Sequence, residues 1–164
     1  MNAPSSRRQL QRERAPSEDT VVEGERGPVV ATELDRDEYG VIWHDPEDGI
    51  LELEWLDRSA NMTDDDFKRS MQRYAELAGA HSTPYLLVDV TKFRHTMGEG
   101  VGAWRDEHII PAYNAAGVTK FAFLFPTGAP GTVEEGNEPA KEPPGEFPTG
   151  YFTTREGILD WFGQ

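Results

Sequence analysis

Two short apolar runs in the second half of the chain define the predicted architecture. Residues 85–89 read Tyr-Leu-Leu-Val-Asp, and residues 120–125 read Lys-Phe-Ala-Phe-Leu-Phe. Both runs are too short for a helix, and the prolines Pro84 and Pro126 bound them, which is typical of strands buried on both faces of a parallel sheet. We therefore predict two parallel strands near the centre of an α/β domain.

A hairpin is predicted upstream of these strands. Residues 39–43 and 50–56 flank the turn sequence Asp-Pro-Glu-Asp-Gly, in which Pro46 suits the second turn position and Gly49 can take a positive φ. The strand over 50–56 alternates, with Leu and Trp on one face and Glu on the other. This alternation predicts an antiparallel pair with one wetter face, and its first strand is expected at an edge of the sheet.

A first helix is predicted from Thr63 to about Gly79. Thr63 is a natural N-cap, and Asp66 three residues later completes a capping box. The residues that recur at helical spacing, and so face the sheet, are Phe67, Met71, Tyr74, Ala75 and Ala78.

A second helix is predicted over residues 100–116, with Gly117 ending it. Pro111 lies well inside this segment. Because proline removes a backbone hydrogen bond there, we expect a kink or two helical pieces.

The C-terminal part combines a long loop with two short elements. Residues 127–148 are rich in Pro, Gly and Glu and predict an irregular acidic surface loop. A short strand over 150–152 follows, and Thr153 with Glu156 predicts a capping box for a last amphipathic helix. The fold class is therefore α/β, with a mixed, mostly parallel sheet flanked by helices.

Residues 1–36 are predicted to be a disordered tail before a domain over 37–164. The first twenty residues are almost free of apolar side chains, so burial cannot offset the entropy lost on ordering them. A flexible tail is the simplest interpretation, and a basic docking arm for an acidic partner is the alternative.

Composition narrows the classes of function. The net charge of −14 disfavours nucleic acid and acidic membranes as partners. There is no cysteine, which excludes disulfides, thiolate catalysis and thiolate metal sites. No stretch is apolar enough for a membrane span, so we expect a soluble, cytoplasmic protein. No cofactor is predicted.

The segments Gly49–Trp55, Leu86–Val90, Gly117–Phe123 and Phe152–Glu156, in this order, resemble the STAS domains of anti-sigma-factor antagonists and sulfate transporters. The resemblance to bacterial STAS/SEC14 domain-containing proteins is closer, and it covers about residues 38–162. It implies a SpoIIAA-like α/β sandwich and a regulatory role. The antagonists carry a phosphorylated serine in the loop after the central strand. Here that stretch is His-Thr-Met-Gly, so only Thr96 offers a hydroxyl.

The carboxyl ends of the parallel strands are where open α/β sheets bind ligands. We expect a binding surface for a partner or ligand at this edge, formed by Asp89, Thr91, Arg94, His95, Thr96, Trp104 and Thr127. For Asp89 the alternative is structural: it accepts hydrogen bonds from loop amides or pairs with Arg94 to hold the turn.

Neither a nucleophile with its base nor a metal-ligand spacing is recognisable, so no catalytic or metal site is predicted. The first hypothesis is a non-catalytic regulatory domain that binds a protein through the loop after the central strand and the following helix. The second hypothesis is a carrier or sensor of a small apolar ligand or lipid, held under that helix.

Overall fold

The computed structural model describes residues 31–164, which form one mixed seven-stranded sheet with helices on both faces. The spatial order of the strands is β1-β2-β3-β4-β5-β7-β6. Strands β3, β4, β5 and β7 are mutually parallel, and β1, β2 and β6 extend the sheet by antiparallel pairing. The strands are β1 (Thr32–Arg36), β2 (Gly40–Asp45), β3 (Ile50–Trp55), β4 (Tyr85–Asp89), β5 (Lys120–Leu124), β6 (Ala140–Lys141) and β7 (Pro148–Phe152).

The predicted centre of the sheet is confirmed. Strand β4 is the fourth of the seven strands and pairs in parallel with β3 on one side and β5 on the other. The hairpin β2–β3 also forms, and Gly49 closes it with a φ of 72°. The class expected from the sequence, α/β with a mostly parallel centre, therefore describes the molecule.

Two predictions at the N-terminal side are wrong. Thr32–Arg36, assigned to the disordered tail, forms strand β1 and pairs with β2. For the same reason β2 is not an edge strand. Residues 1–30, which include the rest of the predicted tail, lie outside the described residues, so their disorder stays a prediction.

Helix α1 (Asp64–His81) covers one face of the sheet. Its start is as predicted, because Thr63 and Asp66 form a reciprocal capping box. The predicted end at Gly79 is wrong, because the helix continues to His81. Ser82 terminates it in the left-handed region with a φ of 49°. The predicted stripe is buried against the sheet, because Phe67, Met71, Tyr74, Ala75 and Ala78 all belong to the main core.

The second helical segment is divided, as Pro111 suggested, although the division involves more than a kink. A short α2 (Val101–Trp104) leads into a π-helical turn, Arg105–Ile109, and then into α3 (Ile110–Ala116). Pro111 lies in the first turn of α3, directly after the π-helical turn. Gly117 ends the segment with a φ of 88°, as predicted.

Helix α4 (Arg155–Phe162) covers the opposite face and forms a second, smaller core with β4, β5 and β7. Its N-cap is Thr154, whose hydroxyl accepts a hydrogen bond from the N–H of Gly157, and not Thr153 as predicted. Thr153 instead donates its N–H and its hydroxyl to Glu134. The loop over 127–148 is largely irregular, as predicted, but it contains a 3₁₀ turn and strand β6.

The face of β3 that carries the glutamates is not exposed to solvent as the alternation predicted. Glu52 is buried, and both its carboxylate oxygens accept hydrogen bonds from the Arg155 guanidinium, at 2.7 and 2.9 Å. Burial alone would lower the pKa of Arg155, but the bonds to Glu52 raise it. This pair joins the first turn of α4 to the sheet.

Candidate functional site

The segment between β4 and α2, residues 90–100, is the loop on which the sequence placed a binding surface. It begins where Asp89 ends β4 at the carboxyl edge of the sheet. Asp89 Oδ1 accepts hydrogen bonds from the N–H (2.9 Å) and the hydroxyl (2.6 Å) of Thr91. Its Oδ2 lies 3.7 Å from the Arg155 guanidinium. Asp89 is buried, so its arrangement matches the structural alternative, in which it holds the turn.

Arg94 joins the loop to the 3₁₀ turn Asp57–Asn61 that precedes α1. Its backbone N–H donates to Ser59 Oγ at 2.9 Å, and its Nε donates to Asp57 Oδ1 at 3.0 Å. Ser59 is fully buried, whereas the ion pair with Asp57 is exposed. The pairing of Arg94 with Asp89 that we considered is therefore not formed.

His95 joins the loop to the first turn of α1. Its Nε2 lies 2.8 Å from Asp64 Oδ1, and the same oxygen accepts a hydrogen bond from Gly98 N at 3.2 Å. The bond from His95, and then that from Gly98, lowers the pKa of Asp64. The His95 ring is stacked on Phe67 with a centroid distance of 6.0 Å. A Cβ at Gly98 would collide with the Asp64 carboxylate, so a side chain there would displace the group that holds His95.

The apex of the loop is presented to solvent. Thr96 and Met97 lie between the His95 and Gly98 contacts and are both exposed. Half of Met97, 50%, is accessible, and across residues 31–164 only Tyr151 is another large hydrophobic side chain with comparable exposure. An apolar side chain is thus displayed on a loop that hydrogen bonds hold at both sides.

The predicted site residues do not form one cluster. Asp89 and Thr91 bond to each other on the α4 side of the sheet, while Arg94 and His95 contact the start of α1. Trp104 is half-buried in α2, with Lys68 Nζ 5.5 Å from its ring centroid. Thr127 is exposed after β5 and makes no hydrogen bond to the loop within the described chain.

Sequence reasoning missed the residues that hold the loop. Asp57, Ser59 and Asp64 lie 31 to 37 positions before Arg94 and His95, the residues to which they bond. Met97 is the functional candidate that was overlooked. Met97 follows the polar residues 94–96 and precedes the glycine-rich residues 98–102, and it belongs to no periodic apolar run. This position in the sequence indicates that Met97 is not a core residue.

Comparison with protein-family models, characterised proteins and solved structures found no match for this chain. None of the helices in residues 31–164 has the length and hydropathy needed to cross a membrane. In the same residues, no three His, Asp or Glu side chains lie close enough together to share a metal ion.

Proposed function

We propose that this protein is a STAS-like, cytoplasmic regulatory domain without catalytic activity, which binds a protein partner through the 90–100 loop and the helix that follows it. The observation that carries the proposal is the exposure of Met97 on a loop without regular secondary structure that is nonetheless held in place. No cofactor is needed for such a role.

The anchoring of the loop supports binding rather than simple connection. Arg94, His95 and Gly98 bond to three side chains of other elements, so the conformation of the apex is defined before any partner arrives. A loop fixed in advance loses less conformational entropy on binding. Loops on rigid scaffolds are also frequent carriers of function.

The chemistry of the apex favours a partner with an apolar pocket. Methionine is flexible and polarisable and is common at binding surfaces that adapt to their partners. Lys92 in the same loop and the half-buried Trp104 in α2 are available for a basic and an aromatic contact. Such a combination is typical of an interface with an apolar centre and a polar rim.

Phosphorylation of the loop is the alternative form of this proposal. Thr96 is exposed, so its hydroxyl is accessible to a kinase. A phosphate there would add about −1.5 to −2 charge to a protein whose net charge is already −14. We therefore propose constitutive binding, and substantial phosphate on Thr96 in protein from its own host would contradict it.

The proposal is tested by affinity purification from the host, followed by a binding measurement with the purified partner. Met97→Asp places a charge at the centre of the proposed interface and leaves the bonds of Asp64 and Ser59 intact. We expect it to weaken binding by about tenfold or more. Arg94→Ala combined with His95→Ala should weaken binding too, because it releases the loop.

Thr96→Val is the matched control, since it alters the neighbouring exposed side chain without adding charge, and its affinity should equal that of the original protein. A partner that binds Met97→Asp as tightly as the original protein would refute the assignment of the surface.

The second hypothesis, a carrier or sensor of a small apolar ligand, has a different structural counterpart. A cleft does lie beside the second helical segment, but charged side chains form part of its walls. These walls favour a polar ligand over an apolar one.

A further inference from the structure

A cleft of about 240 Å³ opens between the π-helical turn, strand β7 and the loop before β7. Its lining is Arg105, Asp106, Ile110, Ala140, Glu142, Pro143, Pro144, Gly145, Phe147, Thr149 and Tyr151. Pockets for drug-sized ligands occupy about 300–1,000 Å³, so this cleft suits a smaller molecule. None of these residues belongs to the 90–100 loop, although Arg105 and Asp106 directly follow α2. The inference does not depend on the proposed function.

The walls of the cleft are held in place by contacts of their own. The Asn114 side chain on α3 donates to the Pro144 carbonyl at 3.0 Å and accepts from the N–H of Glu146 at 3.0 Å. Strand β6 is paired with β7, which fixes Ala140 opposite Thr149. The cleft is therefore preformed.

Three charged side chains in the cleft lack partners. Arg105 is half-buried, yet its guanidinium makes no hydrogen bond or ion pair with any described residue. Asp106 and Glu142 are exposed, and their carboxylates form no ion pair with another residue of 31–164. A guanidinium binds carboxylates through two parallel hydrogen bonds, while carboxylates bind ammonium groups. One positive and two negative groups in one cleft are complementary to a zwitterion.

An aromatic surface borders these charges. Tyr151 is 44% exposed, and its ring is stacked on Phe123 with a centroid distance of 5.4 Å and an interplanar angle of 6°. Phe147 forms a buried part of the lining. A flat ring is the ligand group that stacks best against such a surface.

Arg105 and Asp106 lie on the π-helical turn Arg105–Ile109. This turn ends at the buried Ile109, and the buried Ile110 begins α3 directly after it. Such turns occur frequently at functional sites.

We propose that this cleft binds a free α-amino acid with an aromatic side chain. The carboxylate of the ligand pairs with Arg105, its ammonium group with Asp106 and Glu142, and its ring packs on Tyr151. No covalent step is involved.

The test is an NMR titration of the ¹⁵N-labelled full chain with L-phenylalanine and L-tryptophan. We expect saturable shifts at the amides of Arg105, Thr149 and Tyr151, with a dissociation constant of about 1 mM or tighter. Three probes each lack one feature of the ligand: 3-phenylpropionate has no ammonium group, phenethylamine has no carboxylate, and L-alanine has no ring. Each should bind at least about tenfold more weakly.

Two variants locate the site. Arg105→Gln removes the carboxylate partner, and Tyr151→Ala removes the exposed ring without disturbing a buried position; each should weaken binding by about tenfold or more. Arg58→Gln makes the same charge change at an exposed residue of the 3₁₀ turn before α1 and should leave the affinity unchanged.

The absence of saturable shifts up to about 10 mM of either amino acid would overturn the proposal. So would unchanged affinity in Tyr151→Ala, or in an Arg105→Gln variant whose spectrum shows it folded. Equal binding of phenethylamine and L-phenylalanine would overturn the role of Arg105.

Discussion

Two tyrosines in the main core provide a matched test of the hydrogen bonding in the structure. Tyr74 on α1 and Tyr113 on α3 are both fully buried, and their rings meet edge to face at a centroid distance of 6.1 Å. Burial raises the pKa of both phenols, so both are neutral at any ordinary pH. Their hydroxyl groups differ in their hydrogen bonding.

The Tyr74 hydroxyl joins α1 to the sheet. It lies 2.6 Å from the carbonyl oxygen of Leu51 on β3 and 3.1 Å from that of Leu87 on β4, and these two acceptors share its single proton. The Tyr113 hydroxyl has no hydrogen-bond partner among the described residues. A buried hydroxyl without a partner has lost its hydration without compensation.

Replacement of each tyrosine by phenylalanine should therefore have opposite effects. Tyr74→Phe removes a hydrogen bond to buried carbonyls, and we expect it to lower the free energy of unfolding by about 1–2 kcal/mol. Tyr113→Phe removes a desolvated hydroxyl, and we expect a change between zero and a gain of about 1 kcal/mol. Each change deletes one oxygen from a fully buried ring, so the cavity contributions are similar and the difference reports the hydrogen bonds.

The assay is urea unfolding followed by the fluorescence of the four tryptophans. The midpoint should shift while the dependence of the unfolding free energy on urea stays constant, since neither variant changes the surface exposed on unfolding. A Tyr113→Phe variant that loses as much stability as Tyr74→Phe would refute the reasoning, because it would mean that the Tyr113 hydroxyl has a partner.

Two further predictions concern the sheet and its pH dependence. Leu87 on β4 is 1% exposed, so Leu87→Ala should cost about 2–5 kcal/mol in urea unfolding, and a cost below about 1 kcal/mol, typical of surface positions, would contradict the central strand. Burial, and then the neighbouring His81, lowers the pKa of His44 from 6.5 to about 4. The unfolded chain therefore takes up this proton first, and stability should fall as the pH is lowered between these values. His44→Gln should remove about 1–2 kcal/mol of that loss. This is half of the free energy that corresponds to the full pKa shift, because the side chain is only half-buried and solvent screens it. Burial raises the pKa of Asp45 to about 6, which has the opposite effect on stability, and comparing the two proteins at each pH cancels this contribution. Identical pH profiles of the two proteins would refute the lowered pKa of His44.

Local patterns were sufficient wherever a conformation depends on neighbours in the chain. The apolar run 85–89 predicted the central strand, and the Thr63–Asp66 pair predicted the start of α1, because burial on both faces and capping are encoded within a few residues. Gly49 and Gly117 were predicted to end a hairpin turn and a helix, and the positive φ of each confirms this. The same rule missed Ser82, which takes that conformation although it carries a side chain.

Strand β1 shows what local pattern could not determine. Its sequence, Thr-Glu-Leu-Asp-Arg, carries three charges and no apolar alternation that identifies a strand. It is ordered by its ladder with β2, by the packing of Leu34 on the core, and by the ion pair of Asp35 with Arg73 on α1. A strand that is stabilised mainly by hydrogen bonds to a neighbouring strand has little apolar alternation in its own sequence.

The sequence by itself therefore determined the α/β class, the strands at the centre of the sheet and the loop at its carboxyl edge, since periodicity and capping act over a few residues. Only the tertiary structure decided which side chains meet. Asp64 holds His95 across 31 positions, and Arg105 and Tyr151 share a cleft although they lie on different elements. Such pairings depend on how helices and strands pack against each other, and the pattern of apolar and polar residues along one element does not specify the partners of its polar groups.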